Sequence, residues 1–514
     1  MKKNTFIGGA IILTAAGLIS RILGFIYRIY LSNLIGSEGM GLFQLIFPLF
    51  SVVYMISSSG TFVGISKLVS QESAKGSTKN MNRVLKIGAI FSLLVSLICS
   101  VIFFFGADFI SSSIIKEPRT MLAIKILSFA FPFCSLNTSI KAYFYGKKEM
   151  IIPASSQILE QIVRMTVIFI AADFFIQKGL VYACVLTVIG IIASEIFSFI
   201  HVYFCYKHSS LHTNYSNKKN ITPITSLFKK LTYIVIPITA NKTFTSILMS
   251  FECIIIPIKL QAFGMTNSAA MSLYGQLTGM ALPLIFFPSI LTNSLSISLL
   301  STISEAKAVK NIKKISFTIS KSLQLTSLIS ILSISVFLTY HSQLGMSLYN
   351  EPNVGNILLA LAFICPFIYF RSTVNGILNG LSLHTEAFIH NVIGLTIRIL
   401  IILFFIPEWG IKAYFIGLFI SMFLVFILNI SKITKNSIIH FKTIDWLIKP
   451  SLAALCGSLI SNAIGIKFLF PYYSLKFSLL ICIAILCITF LFFIITLRCI
   501  TKDDFTLIFN NKTK

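Results

Sequence analysis

LSFAFPFCSLNTSIKAYFYGKKEMIIPASSQILEQIVRMTVI, residues 127–168, returns as LAFICPFIYFRSTVNGILNGLSLHTEAFIHNVIGLTIRILII at residues 361–402. A shift of 234 places superimposes Leu127 on Leu361, Phe129 on Phe363, Pro132 on Pro366, Phe133 on Phe367, Gly146 on Gly380, Arg164 on Arg398 and Ile168 on Ile402. Each copy is a pair of apolar runs joined by a short polar turn. A run of about 20 apolar residues is what a helix needs to cross roughly 30 Å of hydrocarbon. The shift covers six such runs, an even number, so both copies enter the membrane in the same orientation. Two parallel six-helix lobes follow.

Outside the repeat the same pattern runs from end to end. The chain is 56% hydrophobic and only 11% charged, with mean hydropathy +0.89, so its solvent is mostly lipid. Backbone groups in lipid must be satisfied within the segment, and these runs are too long for barrel strands. The reading is an all-α integral membrane protein with about fourteen transmembrane helices. The expected spans are 5–34, 41–66, 87–107, 120–140, 151–172, 180–204, 231–258, 268–300, 322–340, 354–376, 386–406, 413–431, 450–466 and 477–497. They group into an N-terminal lobe (1–205), a polar linker (206–230), a C-terminal lobe (231–431) and two added helices with a tail (432–514). Lys2 and Lys3 precede a run that is too long, and too charged at Arg21 and Arg28, for a cleaved signal peptide.

The net charge of +26 would suggest nucleic acid in a soluble protein. Here the lysines lie in loops without stacked aromatics, and 28 of the 42 Lys and Arg fall in loops on the side of the N-terminus, against 7 in the opposite loops. This asymmetry predicts a multi-pass protein of the cell membrane with both termini cytoplasmic. The ten cysteines form no C-x-x-C pair, so no zinc site, disulfide framework or other cofactor is expected.

Seven cations remain inside the spans: Arg21, Arg28, Lys125, Arg164, Lys242, Arg371 and Arg398. An ionisable group in hydrocarbon costs several kcal/mol, so such a residue faces a bundle interior or a wet cavity, or snorkels from a span end as Lys125 can. Arg21 and Arg28 are two turns apart on one stripe of span 1 and have no acid three or four residues away. Gly8, Gly9, Gly17 and Gly24 give that helix places to bend. Glu160 precedes Arg164 by four residues, the spacing of an intrahelical ion pair, whereas its repeat mate Arg398 has Gly394 there. Lys242 and Glu252 lie about 80° apart on span 7. No nucleophile elbow, zincin motif or phosphate loop occurs, and the embedded acids Glu160, Glu195 and Glu252 are dispersed, so no enzyme is expected.

Four stretches carry a resemblance: SRILGFIYRIYLSNLIG (Ser20–Gly36), SSSGTFVGISKLVSQESAKG (Ser57–Gly76), SFECIIIPIKLQAFG (Ser250–Gly264) and LYGQLTGMALPLIFFPSILTNSLSISLLSTISEA (Leu273–Ala306). Together the chain resembles the polysaccharide-exporter branch of the multidrug/oligosaccharidyl-lipid/polysaccharide superfamily, which includes lipid II flippases and MATE exporters. The resemblance implies two MATE-like lobes around a cavity that opens alternately to each side, with two extra helices. It implies a flippase for an undecaprenyl pyrophosphate-linked, lipid II-like precursor of cell-wall peptidoglycan, used for spore cortex. Membrane lipids, a coupling ion (sodium or proton) or the membrane potential, and cell-wall synthesis proteins are the implied partners. Ser20 and Arg21 match the flippase motif S-R-x-L-G-F, while the second flippase arginine falls on Tyr27, next to Arg28. The substrate-contacting residues expected are Ser20, Arg21, Arg28, Lys242, Glu252, Arg371 and Arg398, with Glu160 and Arg164 as a structural pair. A MATE-like exporter of another cargo would favour embedded acids, a glycosyltransferase would need large outer loops, and a non-transporting scaffold for cell-wall synthesis is the remaining alternative.

Overall fold

The computed structural model describes residues 4–211, 222–439 and 441–499. Among these every regular element is helical, as apolar segments that can hydrogen-bond only to themselves must be. The chain divides into two compact units, Met1–Gly275 and Gln276–Lys514.

The first unit contains α1 (Asn4–Tyr54), α2 (Gly60–Ala74), α3 (Thr78–Phe105), α4 (Ala107–Phe109), α5 (Met121–Leu127), α6 (Ala130–Lys147), α7 (Ile151–Ile176), α8 (Leu180–Leu211), α9 (Ile224–Ala262) and α10 (Asn267–Gly275). The second contains α11 (Leu282–Phe286), α12 (Ser289–Ala308), α13 (Ile312–Tyr349), α14 (Pro352–Ala362), α15 (Cys365–Gly380), α16 (His384–Trp409), α17 (Ile411–Asn436), α18 (Lys449–Ile464) and α19 (Leu475–Thr496). Among the described residues ten helical stretches are long and apolar enough to cross a membrane, or twelve if two bent pairs each count as one span. The first of these, Ile12–Ala74, joins expected spans 1 and 2. The α7 helix, expected span 5, is not among them because Glu160, Gln161 and Arg164 interrupt its apolar sequence. The linker expected over 206–230 is helix at 206–211 and 224–230, and residues 212–221 lie outside the described part.

The 234-residue repeat reaches into the backbone. The bent pair Pro118–Leu127 and Ala130–Lys147 (45°) is matched by Pro352–Ala362 and Cys365–Gly380 (55°). Left-handed residues recur at the same register: Gly76 and Lys310, Lys116 and Asn350, Lys148 and Ser382. For a side-chain-bearing residue that conformation is uncommon, so three matched pairs mark one repeated chain path. The shared glycine has a packing reason. A Cβ on Gly146 would lie 2.7 Å from the Cβ of Val69, and one on Gly380 would lie 2.8 Å from the Cβ of Ile303; Val69 and Ile303 are themselves repeat mates.

In the first unit α2, α3, α6 and α9 bury a core that includes Ile65, Val69, Met81, Phe144 and Leu231. In the second, Leu299, Ile303, Ile319, Ile377 and Trp446 form the counterpart. A separate cluster of Leu328, Ala453, Ala454, Phe490 and Ile494 fixes α18 and α19 on α13, which is how the two added helices are held. Between α1 and α10 the backbones themselves touch: a Cβ on Gly41 would sit 2.1 Å from the carbonyl oxygen of Met271. Gly41→Ala should therefore cost about 1–3 kcal/mol through forced separation of the two helices, read as a lower thermal midpoint in detergent. Gly17→Ala, with nothing within 4 Å of its Cβ position, should leave the midpoint unchanged.

The ends of the first unit are tied by polar corners. At one end Arg119 donates to Glu38 (2.7 Å), to Glu117 (2.6 and 3.0 Å) and to Asn267 (2.8 Å), while Ser268 donates to Glu38 (2.7 Å). Burial opposes ionisation of Glu38 and Glu117, but the hydrogen bonds and charge of Arg119 outweigh it and hold both carboxyls below their usual range. The corner therefore stays charged at neutral pH and loosens only as acid protonates these carboxylates. At the other end Arg83 donates to the Thr222 carbonyl (3.1 Å), and Asn80 donates to Glu72 (2.8 Å). Loops 1–2, 3–4 and 7–8 thus share one end, and loop 2–3 meets the start of α9 at the other, the alternation expected of successive crossings.

Candidate functional site

Span 1 is continuous helix from Asn4 to Ile35. The only residue with non-helical angles inside α1 is Gly36 (φ 71°, ψ 179°), so the break expected near Gly17 and Gly24 falls instead at the turn into span 2. Ser20 is buried and its hydroxyl has no hydrogen-bond partner, while Arg21 beside it is exposed. Tyr27, where the flippase pattern carries arginine, is buried with an unpartnered hydroxyl and lies within electrostatic reach of both Arg28 and Arg164. Gly24 lets α7 come close, the amide of Gln161 lying 3.6 Å from where a Cβ would be.

The densest polar group in this unit joins α6, α7 and α8. The amide of Asn137 donates to Glu160 Oε1 (3.1 Å) and Glu195 Oε2 (3.0 Å). Ser198 donates to Glu160 (2.7 Å) and meets Ser156 (2.5 Å). The ammonium of Lys141 pairs with Glu160. Glu160 and Arg164, expected to pair within α7, do not: Glu160 takes its cation from α6, and Arg164 turns to Ser194 of α8 (3.2 Å). The physical reason is that Asn137 and Lys141, one turn apart, hold the carboxylate from the neighbouring helix while Ser194 offers Arg164 an acceptor on its other side. Sequence reasoning missed Lys141 because the expected end of span 4, residue 140, put it one residue outside the membrane.

Lys242 and Glu252 are on α9, which packs with α1, α2 and α3 and so belongs to the first compact unit. Lys242 is exposed and Glu252 buried, consistent with two different faces of one helix.

In the second unit Arg371 of α15 lines a small pocket together with Phe367, Val374, Val425, Phe426 and Asn429. His390 Nδ1 lies 2.7 Å from Asn429 Oδ1. Arg398 is buried. By the 234-place shift Arg371 corresponds to Asn137, His390 to Ser156, Gly394 to Glu160 and Arg398 to Arg164; the next turn is three residues shorter in the second unit, so α17 follows α8 at 231 places and the His390–Asn429 contact repeats Ser156–Ser198. Each unit therefore carries a polar centre on the same framework positions. Among the described residues no group of His, Cys, Asp and Glu is arranged to hold a metal ion.

Comparison with known proteins agrees with this repeated architecture. The polysaccharide biosynthesis protein family matches residues 6–290. The chain belongs to that family. Stage V sporulation protein B of Bacillus subtilis (strain 168) is 27% identical over 467 residues, 90% of each chain. Lipid II flippase MurJ of the same organism is 24% identical over 440 residues, 78% of this chain and 77% of that protein. A solved structure of a lipid II flippase MurJ in an inward closed conformation has the same fold, with TM-score 0.70 at 17% identity over 94% of this chain and 98% of that one. The chain is thus a multi-pass membrane protein of the polysaccharide biosynthesis protein family, with the fold of these transporters.

Proposed function

We propose that this protein is a flippase that moves a polyprenyl pyrophosphate-linked sugar precursor of the cell wall across the cytoplasmic membrane by alternating access, with both termini cytoplasmic. The observation that carries the reading is Arg21. It is a permanent cation inside an apolar helix, exposed rather than packed, with no acid in reach along its own helix, and it stands in the S-R-x-L-G-F motif of flippases. A pyrophosphate is the dense anion such a side chain suits, because the guanidinium offers paired donors and cannot lose its charge. The prenyl chain stays in lipid, so the protein shelters only the head group. Cargo that must be released is best held by several moderate contacts, and Ser20, Arg28, Lys242, Glu252, Arg371 and Arg398 are assigned to supply them. Similarity to a lipid II flippase and to a sporulation protein along most of the chain supports a peptidoglycan precursor, for spore cortex, as the cargo. The test uses purified protein in vesicles loaded with fluorescently labelled lipid-linked precursor. Head groups of the inner leaflet should become accessible to an external quencher or enzyme at a rate proportional to protein content. A rate equal to that of protein-free vesicles would refute the proposal.

A further inference from the structure

Buried polar atoms without a hydrogen-bond partner are rare, because each has given up water and gained nothing. Among the described residues four of them gather where α1 lies on α7: the hydroxyls of Ser20 and Tyr27, the carboxamide oxygen of Gln161 and the Nε–H of Arg164. Ser20, Gly24 and Tyr27 are spaced i, i+4, i+7 and so share one stripe of α1. Gly24 brings that stripe to Gln161, whose amide nitrogen lies 3.6 Å from where a Cβ would be. Tyr27, three residues further along α1, is within electrostatic reach of Arg164, three residues further along α7. Ser20 is 4% exposed and Tyr27 5%. Arg164 uses Nη2, on Ser194 (3.2 Å), and leaves Nε to the seam.

The two halves of α1 are held differently. In the second half the backbone of Gly41 is locked against Met271. In the first half a Cβ at Gly17 would meet nothing within 4 Å, and one at Gly24 nothing closer than 3.6 Å. Gly36, at φ 71°, separates the halves, and its backbone is free to turn where a side chain would resist. The first half can pivot there away from α7, and the four unpaired groups favour that motion because it returns them to partners.

We infer that this seam, opened by such a pivot, is the subsite for the sugar of the cargo. The inference rests on the flippase reading. Two hydroxyls, a carboxamide and a guanidinium N–H between them donate and accept. A bare oxyanion only accepts and leaves the Gln161 oxygen empty, and an alkyl group leaves all four empty. A sugar, whose hydroxyls do both, completes the set. Position agrees with chemistry: Ser20 adjoins Arg21, to which the pyrophosphate is assigned, and in a lipid-linked precursor the sugar is bonded directly to the pyrophosphate.

The experiment measures thermal midpoints of the purified full-length protein in detergent against two probes, polyprenyl pyrophosphate without sugar and the same lipid carrying its sugar. The parent should half-saturate with about tenfold less of the sugar-bearing lipid, the effect of one or two net hydrogen bonds. Tyr27→Phe keeps the ring and deletes the unpaired hydroxyl. Its ligand-free midpoint should equal or exceed the parent's, while its preference for the sugar-bearing lipid falls to about threefold or less. Gln161→Met should narrow the preference likewise, whereas Arg21→Ala should weaken both probes alike. A lowered ligand-free midpoint in Tyr27→Phe would mean that the hydroxyl has a partner in the resting fold, and would overturn the inference. A full sugar preference retained by either seam variant would do the same. A parent that binds both lipids equally also overturns it but leaves the flippase reading standing, and a parent that binds neither removes both.

Discussion

Arg21→Ala is expected to abolish head-group translocation while the protein still reaches the membrane at parental level with an unchanged thermal midpoint. The expectation follows from what surrounds the side chain. Arg21 is exposed and no salt bridge among the described residues involves it, so truncation leaves no buried partner stranded and should cost the fold little. In transport the loss removes a charge-assisted pair of hydrogen bonds, each worth roughly 1.5–3 kcal/mol, from an anion that must leave water. Removal of two such bonds slows binding or passage by about two to four orders of magnitude, since 1.4 kcal/mol is a factor of ten. Arg21→Lys keeps the charge but loses the planar fork, and should retain a measurable fraction of the rate. The neighbour supplies a control: Ser20→Ala removes a buried hydroxyl that has no partner, so it should be tolerated by the fold and affect transport only if that hydroxyl meets cargo. Normal translocation by Arg21→Ala at normal expression would make this arginine structural and remove the main support for pyrophosphate recognition.

The repeat was the most legible feature because it rests on residues that dictate backbone. Gly146 and Gly380 are fixed by close approach of Val69 and Ile303, and proline and glycine survive in sequence where apolar residues interchange freely. Left-handed Lys116 and Asn350, or Lys148 and Ser382, were invisible in sequence because their identities differ while their conformation does not. Local spacing misled at Glu160. An i, i+4 rule sees only one helix, whereas the carboxylate is held by Asn137, Lys141 and Ser198 from α6 and α8. Counting identities between the copies also hid the site. The exchanges of Asn137 for Arg371 and of Glu160 for Gly394 both lie inside the aligned stretch. Both are differences, and their meaning appears only when the positions are seen to form one centre in each unit.

Lys141→Met is expected to be among the most destabilising single substitutions in the first unit. Glu160 and Glu195 share the amide of Asn137, and Lys141 is the cation that the structure pairs with Glu160. The side chains of the pair are largely withdrawn from solvent, with 17% and 18% exposure. Removing one partner of such a pair leaves an uncompensated charge and costs about 3–5 kcal/mol. Arg164 pairs with neither carboxylate: its Nη2 donates to Ser194 at 3.2 Å, and its Nε–H has no partner. Arg164→Ala should accordingly cost less than Lys141→Met. The decisive measurement is a double-mutant cycle on thermal midpoints in detergent. Glu160→Gln in the Lys141→Met background removes the stranded charge while keeping an acceptor for Ser198, so the double variant should be more stable than Lys141→Met alone, giving a strong favourable coupling between positions 141 and 160. An equally large coupling between 160 and 164 would instead restore the intrahelical pair. A Lys141→Met protein as stable as its parent would mean that the Glu160 carboxylate does not depend on an internal cation.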